Sequence, residues 1–89
     1  NPQCVATTAA ALRRYFPDRR RVLLMGVLAD KDWQQMLDIL LPCAAEVVCV
    51  TPESERAMPA EELCAAINER GIPARSASKK DPVVSLRSE

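Results

Sequence analysis

Val22-Leu23-Leu24-Met25-Gly26-Val27-Leu28-Ala29-Asp30-Lys31-Asp32 is the stretch that decides the fold. An apolar run without alternation, read here over Arg21 to Val27, is the pattern of a strand covered on both faces in a parallel sheet. Gly26 allows a tight exit from it, and acidic residues then open a helix. Ligands of open parallel sheets gather at the carboxyl ends of the strands. Asp30, Lys31 and Asp32 therefore stand where a site is expected.

The elements on either side follow the same alternation. Asn1 can cap a helix that has Pro2 at its first position. That helix runs through alanine and leucine to Phe16, where Pro17 stops it. Asp32, with Gln35 three residues on, has capping-box spacing, with Asp in place of Ser or Thr. Trp33, Met36, Leu37 and Leu40 then fall on one helical face, and Pro42 closes the helix. Glu46 to Val50 reads as a second strand. Pro59 opens a third helix with Leu63, Ala66, Ile67 and Arg70 at helical spacing, and Gly71 is its natural C-cap. Ile72 to Ser76 is a short third strand, Ser76 to Lys80 a mobile connection, and Asp81-Pro82 the start of another helix. Strands alternating with helices imply right-handed crossovers on a parallel sheet. We therefore expect a single α/β domain over residues 1–89, a three-layer αβα Rossmann-like parallel sheet. With three strands two are edges, and edges this apolar are normally paired or covered. The sheet is thus expected to be incomplete at both ends, finished by another domain or by homo-oligomer formation through the unpaired edges.

Composition narrows the function. Twelve basic and twelve acidic residues cancel, so bulk charge favours neither nucleic acid nor an anionic membrane surface. Tyr15, Phe16 and Trp33 are too few and too scattered for a stacking platform. No apolar run approaches the roughly 20 residues of a membrane span, and no leader pattern opens the chain; a cytoplasmic protein is expected. The cysteines at 4, 43, 49 and 64 form no C-x-x-C pair and have no histidine beside them for zinc. They read as small buried hydrophobes in a reducing compartment.

The chemistry available to the chain is limited. Without histidine there is no Ser-His-Asp or Cys-His arrangement. Two glycines cannot make G-x-G-x-x-G, and no G-x-x-x-x-G-K-[ST] loop is present. No catalytic residue and no metal ligand is therefore assigned within the chain. Asp30, Lys31 and Asp32 can face a nucleotide or another domain; their plainer role is helix capping with a solvated lysine. Ser54 and Arg56, in the loop after the second strand, can hold a carboxylate, since Arg forks onto carboxylates with two bonds. Their plainer role is a polar turn. Arg13, Arg14, Arg19, Arg20 and Arg21 read as helix-end compensation and a solvated turn.

Three segments in order carry a resemblance: Asn1-Pro2, Gly26 through Asp32, and Thr51-Pro52-Glu53-Ser54-Glu55-Arg56-Ala57-Met58-Pro59-Ala60-Glu61-Glu62-Leu63. Together they resemble the C-terminal domain of folylpolyglutamate synthase/dihydrofolate synthase, a branch of the Mur ligase family. In that family a strand ends in Asp-Gly-Ala-His-Asn-Pro and contributes to the ATP site; Asn1 and Pro2 match its last two residues. Gly-x-x-x-Asp-Lys-Asp and Ser-x-Arg-Ala-x-Pro-Ala-Glu-Glu-Leu are matched in register. The family continues past Asp-Pro with an alanine- and leucine-rich helix and a final strand, where this chain has Val83 to Glu89, so a truncated domain is expected. The resemblance implies an ATP- and magnesium-dependent ligase that adds L-glutamate to dihydropteroate or folylpolyglutamate through an acyl phosphate. Its central ATPase domain would be the partner of this chain. It implies Asn1, Asp30, Lys31 and Asp32 as a nucleotide- or interdomain-facing loop and Ser54 and Arg56 as a glutamate-binding loop. Alone, the 89 residues would be inactive, with no tightly bound cofactor. A peptidoglycan Mur ligase domain and a stand-alone, non-catalytic Rossmann-like module are the other readings. The Ser54-to-Pro59 element favours the folate branch.

Overall fold

The computed structural model describes residues 2–77. Asn1, the connection from 78 to 80 and the helix expected after Asp81-Pro82 lie outside them. The elements are α1 (Pro2–Tyr15), β1 (Val22–Met25), α2 (Trp33–Leu40), a 3-10 turn (Leu41–Cys43), β2 (Glu46–Cys49), α3 (Ala60–Glu69) and β3 (Ala74–Ser76). The three strands are parallel in the order β1-β2-β3. Leu23 pairs with Val47 and Val47 with Ala74; Met25 pairs with Cys49 and Cys49 with Ser76. This is the α/β, αβα-like open sheet that the alternation of elements implies.

Each boundary has a local cause. The Asp32 carboxylate accepts the Gln35 N–H at 3.2 Å and caps α2. Pro42 ends that helix in the 3-10 turn. Gly71 sits at φ +85°, the left-handed conformation that closes α3. Arg21 ties the end of α1 to the 3-10 turn: its Nη1 donates to the Phe16 carbonyl at 2.7 Å and its Nε to the Cys43 carbonyl at 2.6 Å. Arg20 pairs with Glu46, and the Arg14 guanidinium lies over the Tyr15 ring. The basic run is thus largely spent on helix ends and neighbours.

The core lies between the sheet and helices α2 and α3. Leu37, Leu63, Ile67, Val47 and Cys49 are its fully buried side chains, with Met25, Val27, Leu41, Met58 and Ala60 around them. Trp33, Met36, Leu40 and Ala66 pack against this cluster. No polar or charged residue is buried among the described residues.

Cover is uneven, and here two expectations need correction. β1 is four residues long, not seven, and only Leu23 and Met25 turn toward the core. Val22 and Leu24, on the opposite face, are 49% and 42% exposed. An unbroken apolar run carries no mark of which face is covered, so the outer position of β1 could not be read from it. Of the third strand read over Ile72 to Ser76, β3 keeps only Ala74–Ser76, after which the Ala77 N–H donates to the Cys49 carbonyl at 2.8 Å.

Gly26 ends β1 where the chain passes close to the exit of β2. A Cβ there would stand 3.0 Å from both Pro52 Cγ and Val50 Cγ2 and 3.1 Å from the Val50 carbonyl oxygen. Only glycine lets the two exits lie this close.

Two outcomes follow for chemical denaturation. Leu63→Ala, at a fully buried position, costs about 2–5 kcal/mol, whereas Leu24→Ala costs well under half of that; equal losses would contradict the one-sided core. Gly26→Ala costs about 1–3 kcal/mol by overpacking and shifts the backbone NMR signals of Val50 and Thr51. Unchanged signals there would show that the approach is not tight.

Candidate functional site

Both crossover loops leave the sheet at the same end and are joined to each other. Leu28 and Ala57 form an isolated antiparallel bridge. The Ala29 N–H donates to the Arg56 carbonyl at 2.7 Å, and the Met58 N–H to the Val27 carbonyl at 3.0 Å. The Val50 N–H donates to the Met25 carbonyl at 2.8 Å just below. Parallel strands have no hairpin between them, so this short ladder is what makes one structure of two loops that are distant in sequence.

The ladder sets Asp30 opposite Arg56. Arg56 Nη1 donates to Asp30 Oδ2 at 2.9 Å, with both side chains about half exposed. An ion pair so placed contributes about 0–1 kcal/mol; it orients the guanidinium more than it stabilises the fold. The pair joins a residue of the Asp30-Lys31-Asp32 set to one of the Ser54/Arg56 set, which the sequence suggested as separate loops.

The remaining candidates divide by what already occupies them. The Asp32 carboxylate is used as the α2 cap. Ser54 Oγ accepts the Arg56 N–H at 3.1 Å, while the Ser54 carbonyl accepts the Ala57 N–H; the hydroxyl keeps its own proton to donate. Lys31 lies in a turn, its N–H donating to the Leu28 carbonyl and its carbonyl accepting from Trp33. Its side chain is exposed and has no ion pair among the described residues. Asn1 lies outside the described residues. Among those residues no three His, Cys, Asp or Glu side chains converge to hold a metal ion.

Thr51 is a residue whose part the sequence reading missed. Pro59 at the start of α3 offers no capping side chain, and helix N-termini leave their first N–H groups without intrahelical partners. Thr51 Oγ1 reaches across the loop and accepts the Ala60 N–H at 2.8 Å. The signal was a proline cap that needs an acceptor from elsewhere. Trp33, by contrast, packs on the core as expected.

A concavity of about 350 Å³ lies toward the amino ends of β2 and β3 and is lined by Leu37, Asp38, Leu41, Pro42, Arg70 and Ile72. Its two charged groups, Asp38 and Arg70, are bonded to each other. The joined loops bring the Arg56 guanidinium, the Lys31 ammonium and the Ser54 hydroxyl to one end of the sheet, together with the carboxylates of Asp30, Asp32, Glu53 and Glu55.

The comparisons with known proteins agree on the fold. The solved folylpolyglutamate synthetase of Helicobacter pylori superposes with a TM-score of 0.76 at 22% identity, covering 92% of this chain and 21% of that one. Escherichia coli FolC in complex with DHPP and ADP gives 0.72 at 26% identity, covering 86% of this chain and 18% of that one. Mycobacterium tuberculosis folylpolyglutamate synthase complexed with ADP gives 0.77 at 35% identity, with coverage of 86% and 18%. The chain thus spans about a fifth of the length of the structures it matches. No curated protein sequence matches it significantly. The family model for the glutamate ligase domain of Mur ligases matches residues 1–87. With that match over nearly its whole length, and with the open parallel sheet and joined loops described above, the chain belongs to the Mur ligase family as a C-terminal, glutamate ligase domain.

Proposed function

We propose that the protein carrying this chain is an ATP-dependent ligase that adds L-glutamate to dihydropteroate or to a folylpolyglutamate, and that this domain helps bind the glutamate and close the site. The observation that carries the reading is the joined pair of loops at the carboxyl ends of β1 and β2, with Arg56 oriented by Asp30 and Lys31 next to that pair in the chain and without an ion pair among the described residues. The likeness to a folylpolyglutamate synthase complexed with ADP at 35% identity supports the folate branch.

In the proposed reaction the folate-side carboxylate is activated as an acyl phosphate at the expense of ATP. The glutamate amine then attacks the acyl carbon, forming the amide and releasing phosphate. Phosphoryl transfer itself belongs to the central ATPase domain, the proposed partner of this chain. The residues here fit one part of a nucleotide site: Lys31 supplies a charge that a phosphate oxygen can take. They do not make up a magnesium site, since Asp30 is engaged by Arg56 and Asp32 by the α2 N-terminus, and no step is assigned to the metal through them. Arg56 has further N–H donors beyond the one on Asp30, and with the Ser54 hydroxyl it can fork onto a glutamate carboxylate. Closure of this domain over the central one would exclude water from the acyl phosphate and hold the amine in line. The 89 residues alone would not turn over. The setting is the cytoplasm; no helix among the described residues is long and apolar enough to cross a membrane.

Kinetics of the full-length protein test the assignment. Loss of one charged hydrogen bond to substrate corresponds to about 10- to 100-fold. Arg56→Ala is expected to raise the KM for glutamate by about that factor and to leave the KM for ATP within about twofold. Lys31→Ala is expected to raise the KM for ATP in preference to that for glutamate. Asp30→Asn, which keeps the guanidinium but frees it, is expected to fall between wild type and Arg56→Ala. Equal effects of Arg56→Ala on both substrates, or none on glutamate, would contradict the role given to this loop.

A further inference from the structure

The end of the sheet opposite the joined loops concentrates positive charge. Residues 13–21 hold five arginines and one acid, Asp18, in a chain of zero net charge. Two segments run side by side there, 19–21 leading into β1 and 42–45 into β2, and the Ala45 N–H donates to the Arg21 carbonyl at 2.8 Å. They line a hollow of about 180 Å³, whose walls are Arg19, Arg20, Arg21 and residues 42–45, with no carboxylate among them. Of the flanking acids, Glu46 is engaged by Arg20 at 3.1 Å and Arg75 at 3.7 Å. Asp18, in the turn before Arg19, has no ion pair among the described residues. The three arginines are held to different degrees. Arg21 is fixed through Nε and Nη1 on the Cys43 and Phe16 carbonyls, while its Nη2 has no acceptor among the described residues. Arg20 is held through one nitrogen by Glu46. The exposed Arg19 has no side-chain hydrogen bond or ion pair among the described residues.

We infer that this hollow is a binding site for a small inorganic phosphate anion, of the size of phosphate or pyrophosphate, separate from the site at the joined loops. The guanidinium is charged at every ordinary pH, and its planar fork of donors matches phosphate oxygens. Three of them line one hollow here, and each has N–H groups to spare, since an arginine carries five. Size selects the class of anion. The volume is below the roughly 300–1,000 Å³ of pockets that hold drug-sized ligands. Apart from the arginines its walls are Pro42, Cys43, Ala44 and Ala45, which offer no aromatic face to a base. One or two phosphate groups fit such a space, and a nucleotide does not. A bound anion would tie the turn before β1 to the segment before β2. Asp30, Lys31 and Arg56 stand at the carboxyl ends of the strands, so the two sites share no residue.

Arginine modification of the full-length protein by phenylglyoxal, mapped residue by residue with mass spectrometry, tests this. Pyrophosphate is the probe, and sodium chloride at equal ionic strength is the control, since salt alone screens exposed charges. Pyrophosphate is expected to slow the modification of Arg19 and Arg20. Arg13 and Arg14, in the last turn of α1 and outside the hollow, are expected to react at an unchanged rate. The readout is local, so pyrophosphate held at a nucleotide site elsewhere in the protein does not move it. Arg19→Gln alters an exposed side chain that makes no bond within the described residues. It is expected to raise the pyrophosphate concentration that half-protects Arg20 by about 10- to 100-fold, as loss of one charged hydrogen bond does. Equal protection by chloride, equal protection of Arg13 and Arg14, no protection of Arg19 and Arg20, or an unchanged half-protecting concentration in Arg19→Gln would each overturn the inference.

Discussion

The exits of β1 and β2 touch, and the candidate site depends on that contact. Two parallel strands leave their sheet in the same direction with nothing between them but a crossover helix, so the loops at their ends have no covalent reason to meet. Here they meet because Gly26 lacks the Cβ that would stand 3.0 Å from Pro52 Cγ and Val50 Cγ2, closer than van der Waals contact. Paired backbone groups of residues 27–29 and 56–58 then complete the junction. The Asp30–Arg56 ion pair is a consequence of this ladder and not its cause, since an exposed pair is too weak to hold two loops together.

This constraint explains why the site residues share one end of the sheet while the core sits below them. Leu37, Leu63 and Ile67 hold the two crossover helices on Val47 and Cys49, which fixes the strand ends. Thr51 holds the start of α3 from the loop side. The loop bearing Ser54 and Arg56 is therefore anchored at both ends and braced in the middle. Such a loop can present polar groups to a facing domain without first having to order itself, which keeps the entropic cost of binding low.

Much of this was legible in the sequence, for identifiable reasons. The helical faces of Trp33-Met36-Leu37-Leu40 and Leu63-Ala66-Ile67 and the cap at Asp32 are local patterns, and local patterns survive into the fold. The parallel sheet followed from alternation of element types. The exposure of Val22 and Leu24 was not legible, because the same apolar run serves a central strand and an outer one. Nor was the Asp30–Arg56 pairing, which joins residues 26 positions apart through a backbone ladder that leaves no periodic trace. Ser54 and Asp32 turned out to hold turns and caps as well as standing in candidate loops, the plain roles that such residue types most often fill.

The central claim is that the joined loops belong to a ligase that makes an amide from an activated carboxylate. The most direct test is to give the full-length protein a dihydropteroate or folate whose reacting carboxylate carries oxygen-18, together with ATP and L-glutamate. The account predicts glutamate added to the labelled substrate and one labelled oxygen in each phosphate released, because the acyl–phosphate oxygen comes from that carboxylate and leaves with the phosphorus. Amide formation with unlabelled phosphate would contradict the acyl phosphate route, and failure to join glutamate to either substrate would contradict the ligase assignment itself.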